Sequence, residues 1–159
     1  MKKFLVIFAI FILTLPSFAT QWTEISEDMQ IDMDSIEPYI NHYGNIEPDK
    51  FVFWVKKTNN NSSIFLQLEK YYKKNIGYFV DKEVIDCKLK KISIKSNYIY
   101  DKDSKLIHKF DFDDFRSDWS SIVPDSKEQL LFKEVFNYKL KYDEEIKKNI
   151  KDKEDKEKQ

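Results

Sequence analysis

Short windows in which apolar and polar residues alternate run through most of this chain and restrict what it can fold into. In residues 29–33, Met29, Ile31 and Met33 fall on one face of an extended strand. Residues 50–57 are apolar on both faces, which is typical of a strand in the middle of a sheet. Aromatic residues make up 16% of the chain, and aromatic and β-branched side chains favour strands. A β-sheet is therefore predicted.

Further alternating windows extend the predicted sheet. A first strand is predicted over residues 22–26, and a long strand over residues 78–94 with a break near Lys90. Residues 96–112 predict a hairpin, because two alternating runs flank the polar stretch 101–105. Antiparallel pairing is the natural consequence of such a hairpin.

Two other segments have less regular patterns. Between residues 35 and 50, proline, asparagine and glycine are frequent, which predicts a loop with room for one helical turn. Residues 64–72 fit both a helix and a strand. A strand is favoured there because aromatic and β-branched residues are frequent and the segments on both sides are predicted strands.

After Trp119 the apolar period changes from two to between three and four. Ser126 followed by Gln129 is a capping-box pattern, so a helix is predicted to begin near Lys127. Its apolar stripe should lie on the sheet, and it consists of Leu131, Phe132, Val135, Phe136 and Leu140. The charged residues 141–159 predict either a solvated extension of this helix or a disordered tail. The predicted fold class is α+β, an antiparallel β-sheet with a C-terminal α-helix packed on one face.

The first nineteen residues have the composition of an export signal. Two lysines at residues 2–3 precede an unbroken apolar run over residues 4–13, and Ser17 and Ala19 are small. Signal peptidase is expected to cut between Ala19 and Thr20. The apolar run is shorter than the roughly 20 residues that a membrane-spanning helix needs. The segment is therefore predicted to be removed rather than retained as an anchor.

One exported domain is predicted over residues 20–140, in the periplasm or at the cell surface. Because no cysteine stands at the cleavage site, no lipid anchor is expected. No stable membrane insertion is expected once the signal is removed. The formal net charge of the chain is −1, which gives no electrostatic reason to expect a nucleic-acid partner. The only glycines, Gly44 and Gly77, are too few for a phosphate or dinucleotide loop. No cofactor is expected.

Residues that could carry chemistry are scattered. An acidic cluster that offers oxygen ligands for calcium consists of Asp111, Asp113, Asp114 and Asp118. It lacks the glycine and terminal glutamate of a standard calcium loop, so a half-exposed strand is the favoured interpretation. His42 and His108 have no neighbour at metal-ligand spacing. With no catalytic motif either, the chain is predicted to be neither a metalloprotein nor an enzyme.

The single cysteine, Cys87, lies in an alternating stretch that is predicted to be an inner strand. Burial as a small apolar side chain is favoured. Pairing between two chains remains open, and it would produce a homodimer.

Several short motifs, taken in order, resemble the surface-adhesin protein E family of bacterial exported domains. The first motif is Trp22. The second is an Ile-Asp pair that precedes a Ser-Ile pair (Ile31, Asp32, Ser35, Ile36), and the third is a Trp-Val-Lys strand (Trp54, Val55, Lys56). The later ones are Asp86, Cys87, then Tyr100, Asp101, and finally the pattern Trp119, Ile122, Pro124, Ser126 that leads into a helix. The resemblance spans about residues 22 to 136.

The resemblance implies a sheet of about six antiparallel strands with a C-terminal helix on its concave face. It also implies binding of host matrix or serum proteins. In the family the strand cysteine is typically bridged to a cysteine in that helix, where this chain has Val135 and Phe136. Phe136 is expected to fill that space, with about 2 to 3 kcal/mol from burial of an aromatic side chain.

The predicted function is an exported, non-catalytic binding protein for a protein partner, either a host matrix or serum protein or a component of the envelope. Edge strands rich in tyrosine and lysine could engage that partner by strand addition or through a flat surface. The alternative is a periplasmic structural or assembly subunit that associates through its charged C-terminal helix.

Overall fold

The computed structural model describes residues 22–58, 63–112 and 118–157, the last four of these by backbone alone. The predicted cleavage site, Ala19 and Thr20, lies outside these residues, as do Asp113 and Asp114.

Within the described residues, seven strands form one antiparallel sheet. They are β1 (Trp22–Ser26), β2 (Met29–Ile40), β3 (Ile46–Lys57), β4 (Ile76–Asp86), β5 (Lys91–Asp101), β6 (Leu106–Asp111) and β7 (Ser120–Ser121). Strands β1 to β6 neighbour each other in sequence order, and β7 pairs with β5. Helix α1 (Ser63–Tyr72) connects β3 to β4, and α2 (Lys127–Glu157) follows β7. The predicted α+β class is confirmed.

The predicted loop over residues 35–50 is wrong, because β2 and β3 extend through it and meet at a tight turn. Asn41 Oδ1 accepts hydrogen bonds from the backbone N–H of Tyr43 and Asn45, at 3.0 and 3.1 Å. Gly44 has φ +80°, which favours glycine. Pro38 lies where the register of β2 against β3 shifts, a position at which a proline disturbs the ladder least. The turn-forming residues thus serve a hairpin turn and a strand irregularity.

The favoured strand over residues 64–72 is also wrong, because this segment forms α1. Phe65 is only 3% exposed, and its ring centroid lies 4.2 Å from that of Phe79 on β4. Leu68 and Tyr72 pack against the same apolar cluster, at the three-to-four spacing of a helix face. The contact with the sheet selects the helix where the local pattern allowed both.

The predicted break near Lys90 is confirmed as a turn that reverses the chain between β4 and β5. Asp86 Oδ1 accepts hydrogen bonds from the backbone N–H of Lys88 and Leu89 at 3.0 and 2.7 Å. Lys90 adopts φ 52°. The predicted hairpin of β5 and β6 is confirmed as well, with Asp101 at its turn.

One face of the sheet, the inner face, carries both helices over two apolar clusters. The larger cluster lies under α2 and includes Ile31, Phe51, Phe53, Val55, Ile85, Cys87, Leu131 and Val135. The smaller one lies under α1 and consists of Phe65, Ile76, Phe79 and Ile99. Strand alternation sends the intervening side chains of β3 and β4 to the opposite, outer face.

Helix α2 docks through Leu131 and Val135, both fully buried. Farther along, Tyr138 and Tyr142 place their rings edge-on to Phe51, each at 5.9 Å between centroids. The expectation for Phe136 is wrong: it is 36% exposed and stacks on Phe132 at 5.6 Å. Val135, one residue earlier, points into the cluster that contains Cys87, because a helix turns by about 100° per residue.

Residues 141–157 continue α2, one of the two predicted alternatives for the tail. Its exposed apolar residues there are Ile146 and Ile150. Neither helix in the described part of the chain combines the length and hydropathy that a membrane crossing requires.

Candidate binding face

The outer face brings together three of the residues singled out from the sequence motifs. In the strand register Trp22 lies opposite Asp32, and Asp32 lies opposite Trp54. They belong to a shallow groove of about 350 Å³ that is lined by Trp22, Asp32, Trp54, Val80, Tyr98 and Tyr100. The groove therefore crosses the sheet from β1 to β5.

Aromatic rings on this face support one another. The rings of Trp54 and Tyr98 meet edge-to-face with centroids 5.6 Å apart. Tyr78 and Tyr100 stack at 4.9 Å with an interplanar angle of 14°. Burial raises the pKa of Tyr100 above its ordinary value, so its hydroxyl is a neutral donor and acceptor at physiological pH. Such ring pairs limit the rotamers available to each side chain before any partner arrives.

Lysines lie over these rings. The Nζ atoms of Lys56, Lys82 and Lys109 are 4.4, 5.8 and 5.3 Å from the ring centroids of Tyr78, Trp54 and Tyr98, respectively. These distances suit cation–π attraction. We call these rings and lysines the outer aromatic face, which consists of Trp22, Trp54, Tyr78, Tyr98, Tyr100, Lys56, Lys82 and Lys109. It presents apolar area and positive charge together.

The other residues of the sequence motifs lie elsewhere. Trp119 lies under the Nζ atoms of Lys50 and Lys95, at 5.2 and 5.7 Å from its ring centroid. Ile122 packs against the larger apolar cluster, and Pro124 is exposed in the turn before α2. These residues shape the approach to α2 and do not join the groove.

The predicted capping pattern is present in a modified form. Ser126 Oγ accepts a hydrogen bond from the backbone N–H of Gln129 at 3.2 Å. The Gln129 side chain, however, accepts from the N–H of Asp125, which has φ 60°, instead of from that of Ser126. Helix α2 begins at Lys127 as predicted.

The two described members of the acidic cluster, Asp111 and Asp118, and the two histidines lie apart from one another. Asp111 Oδ1 accepts from the hydroxyl of Ser96 at 2.8 Å, and its hydrogen bond with Lys109 holds the pKa of Asp111 below its ordinary value. Asp118 lies on the inner side of the sheet, at a cavity described below. His42 packs on Tyr43, and His108 packs between Tyr72 and Phe110.

Cys87 is 6% exposed, so its predicted burial is confirmed. Burial raises the pKa of the thiol to about 12, against a partial offset from the charge of Lys139. The reactive thiolate is therefore scarce at physiological pH.

We expect native Cys87 to react with Ellman's reagent at pH 8 about 1000-fold more slowly than in denatured protein, because both thiolate fraction and access are reduced. Absorbance at 412 nm with and without 6 M guanidinium chloride measures the ratio. A native rate within tenfold of the denatured rate would contradict it. If Cys87 is as unreactive as expected, the protein should also run as a monomer on a non-reducing gel.

A polar cluster on the inner face was missed by the sequence reasoning. Lys57 Nζ donates to Asp81 Oδ2 at 2.9 Å and to Glu83 Oε1 at 2.5 Å. Asn97 Nδ2 donates to the second oxygen of Asp81. The sequence does indicate the position of Lys57. Phe53, Val55 and Lys57 are alternate residues of one strand, so their side chains share a face.

Burial dominates the electrostatics of this cluster. Desolvation raises the pKa of Glu83, an effect that the nearby Lys57 ammonium partly offsets. The two carboxylates in turn raise the pKa of Lys57, in spite of its own desolvation. The lysine side chain keeps 26% exposure, whereas those of Asp81 and Glu83 keep 4% and 2%. The lysine side chain is therefore partly open to solvent, whereas both acids are buried.

No protein-family model and no curated protein matches this chain. A solved structure, crystal form II of Haemophilus influenzae protein E, is similar, with a TM-score of 0.42 and 12% sequence identity. The alignment covers 68% of this chain and 79% of that chain.

Proposed function

We propose that this chain is an exported, non-catalytic binding protein that holds a protein partner on its outer aromatic face. The observation that carries the proposal is the outer aromatic face itself, which neither helix covers. Tryptophan and tyrosine are the residues that contribute most often to protein interfaces, because they offer large contact areas at little cost in conformational entropy. The export signal predicted over residues 1–19 and the motif resemblance support a binding role outside the cytoplasm.

The dimensions of the sheet suit such a partner. Six strands about 4.8 Å apart give a width of about 24 Å, and strands of 11 residues extend about 36 Å. The area of the sheet face, its width multiplied by the strand length, is comparable with the roughly 800 Å² per partner of a standard interface. The outer face is therefore large enough for an interface with a folded domain.

The charge of the face indicates the partner's chemistry. Lys56, Lys82 and Lys109 stand over the rings, while Asp32 lies in the groove. Because Lys109 is ion-paired with Asp111, the excess positive charge over the rings comes from Lys56 and Lys82. An acidic patch on the partner would be attracted by it.

We expect Trp54→Ala and Tyr98→Ala each to weaken partner binding at least 30-fold, or about 2 kcal/mol, as is usual for an aromatic anchor. Biolayer interferometry of the purified protein against a panel of matrix proteins, serum proteins and envelope extracts measures this. Tyr71→Ala is the matched control, because Tyr71 is 76% exposed on α1, away from the outer face. The proposal fails if Tyr71→Ala weakens binding as much, or if Trp54→Ala leaves it unchanged.

A second candidate function, a structural or assembly subunit, is favoured by the far half of α2. Beyond Tyr142 the apolar stripe continues in Ile146 and Ile150, which are 40% and 53% exposed. A helix of 15 further residues extends about 22 Å, and such a stripe suits a second helix. Partner or self-association would then depend on this segment and not on the outer aromatic face.

Truncation distinguishes the two functions. Deletion of residues 144–159 keeps Tyr142 on Phe51 and should leave binding to the outer aromatic face intact. If this deletion abolishes association while Trp54→Ala does not, the assembly function is correct and the first proposal is wrong. Cell fractionation precedes both tests, because a chain that stays in the cytoplasm contradicts either function.

A further inference from the structure

A cavity of about 470 Å³ opens on the inner face beside the first turn of α2. We call it the inner cavity; its described lining includes Lys57, Glu83, Ile92, Ser93, Ile94 and Val123, with Asp118 and Glu128 from the segments that frame it. Its size falls within the range of small-molecule sites. It lies on the side of the sheet opposite to the outer aromatic face, so the two surfaces are independent.

One buried polar atom at the inner cavity, Glu83 Oε2, has no hydrogen-bond partner among the described residues. Glu83 is 2% exposed. Buried polar side-chain atoms almost always have a partner. Glu83 lines the cavity, so a molecule in it could satisfy this oxygen.

The charges around the cavity indicate what that molecule carries. The Lys57 ammonium is shared between Asp81 and Glu83, which leaves two carboxylates for one cation. Asp118 and Glu128 add further negative charge at the lining. Burial raises the pKa of Glu83, as expected of a carboxylate that lacks enough positive charge around it. A cation would supply what the cluster lacks.

We propose that the inner cavity binds a small molecule with one ammonium group on a short apolar body. The ammonium would donate to Glu83 Oε2. Its apolar body would contact Ile92, Ile94 and Val123. A carboxylate ligand of the same length would meet the acidic lining and be repelled.

Hexylammonium is the probe, and hexanoate and hexanol are the matched controls of opposite and zero charge. We expect hexylammonium to bind once per chain, at least tenfold more tightly than either control, in isothermal titration calorimetry. The methyl resonances of Ile92, Ile94 and Val123 should shift in its presence. Equal binding of hexylammonium and hexanoate, or shifts confined to other methyl groups, would overturn the proposal.

Variants test the contacts. Glu83→Gln keeps the shape of the side chain and should weaken hexylammonium binding at least tenfold. Unchanged affinity in Glu83→Gln overturns the proposal. If Glu83→Gln does not fold, Glu128→Gln at the cavity lining provides the second test, and it should weaken hexylammonium binding about threefold. Glu144→Gln is its control, because Glu144 is exposed farther along α2, and it should leave the affinity unchanged. Equal affinities in these two variants also overturn the proposal.

Discussion

Replacing Val135 by aspartate should unfold this protein, whereas the same change at Phe136 should leave it folded. Val135 is fully buried in the cluster with Phe51 and Cys87. An aspartate there would carry an unpaired charge into apolar surroundings, a loss of at least about 4 kcal/mol. Typical domains have a total stability of about 5 to 15 kcal/mol, so most of the folding free energy would disappear.

Phe136→Asp is the matched control, because it places the same residue one position later in the same helix. Phe136 is 36% exposed and packs mainly on Phe132, so its loss should cost about 1 kcal/mol. Urea unfolding followed by circular dichroism at 222 nm measures both variants. Equal destabilisation would mean that α2 docks through a face different from the one described.

Lys57→Met should destabilise the protein by about 3 to 5 kcal/mol, because it removes the only ammonium that the structure places on the buried acids Asp81 and Glu83. Its side chain is 26% exposed, so solvent screening places the expected value near the lower bound. Lys56→Met is the matched control. Lys56 lies on the outer face over Tyr78, and its replacement should cost less than about 1 kcal/mol.

The effect of Lys57→Met should also depend on pH. Burial raises the pKa of Glu83 in the folded state, so the stability linked to this carboxyl group is complete below its unfolded pKa, about 4.3. It is lost as the pH rises through the higher folded pKa. Without Lys57 the stability lost when Glu83 ionises should be larger. The destabilisation caused by Lys57→Met should therefore be smaller at pH 4.5 than at pH 7. Unfolding curves at the two pH values measure it, and a penalty independent of pH would contradict this account.

Local patterns predicted those elements whose boundaries depend on neighbouring residues alone. The start of α2 followed from Ser126 and Gln129, and the turn at Lys90 interrupted an otherwise continuous alternation. The prediction for residues 64–72 was wrong because their apolar pattern fits both a helix and a strand. The contact of Phe65 with Phe79 on a distant strand decided for the helix. The loop predicted over residues 35–50 was wrong because proline, asparagine and glycine occur at strand irregularities and hairpin turns as well as in loops.

The candidate binding face was only partly readable from the sequence. Trp22, Asp32 and Trp54 were singled out as family motifs, but their meeting in one groove depends on the pairing of three strands. Tyr98 and the lysines over the rings join them only in the folded sheet. The polar cluster at Lys57 combines residues of three strands, separated by up to 40 positions along the chain.

The sequence by itself determined that an antiparallel sheet forms and that a capped helix follows it, because period and capping act within a few residues. Only the tertiary structure decided which helix residue faces Cys87, Val135 rather than Phe136. The tertiary structure also decided that both described helices pack on the inner face, which leaves the outer face clear of them, and that a charged cavity opens on the inner side. Those outcomes depend on the angle at which α2 crosses the sheet and on strand register, which arise from contacts between residues far apart in the chain.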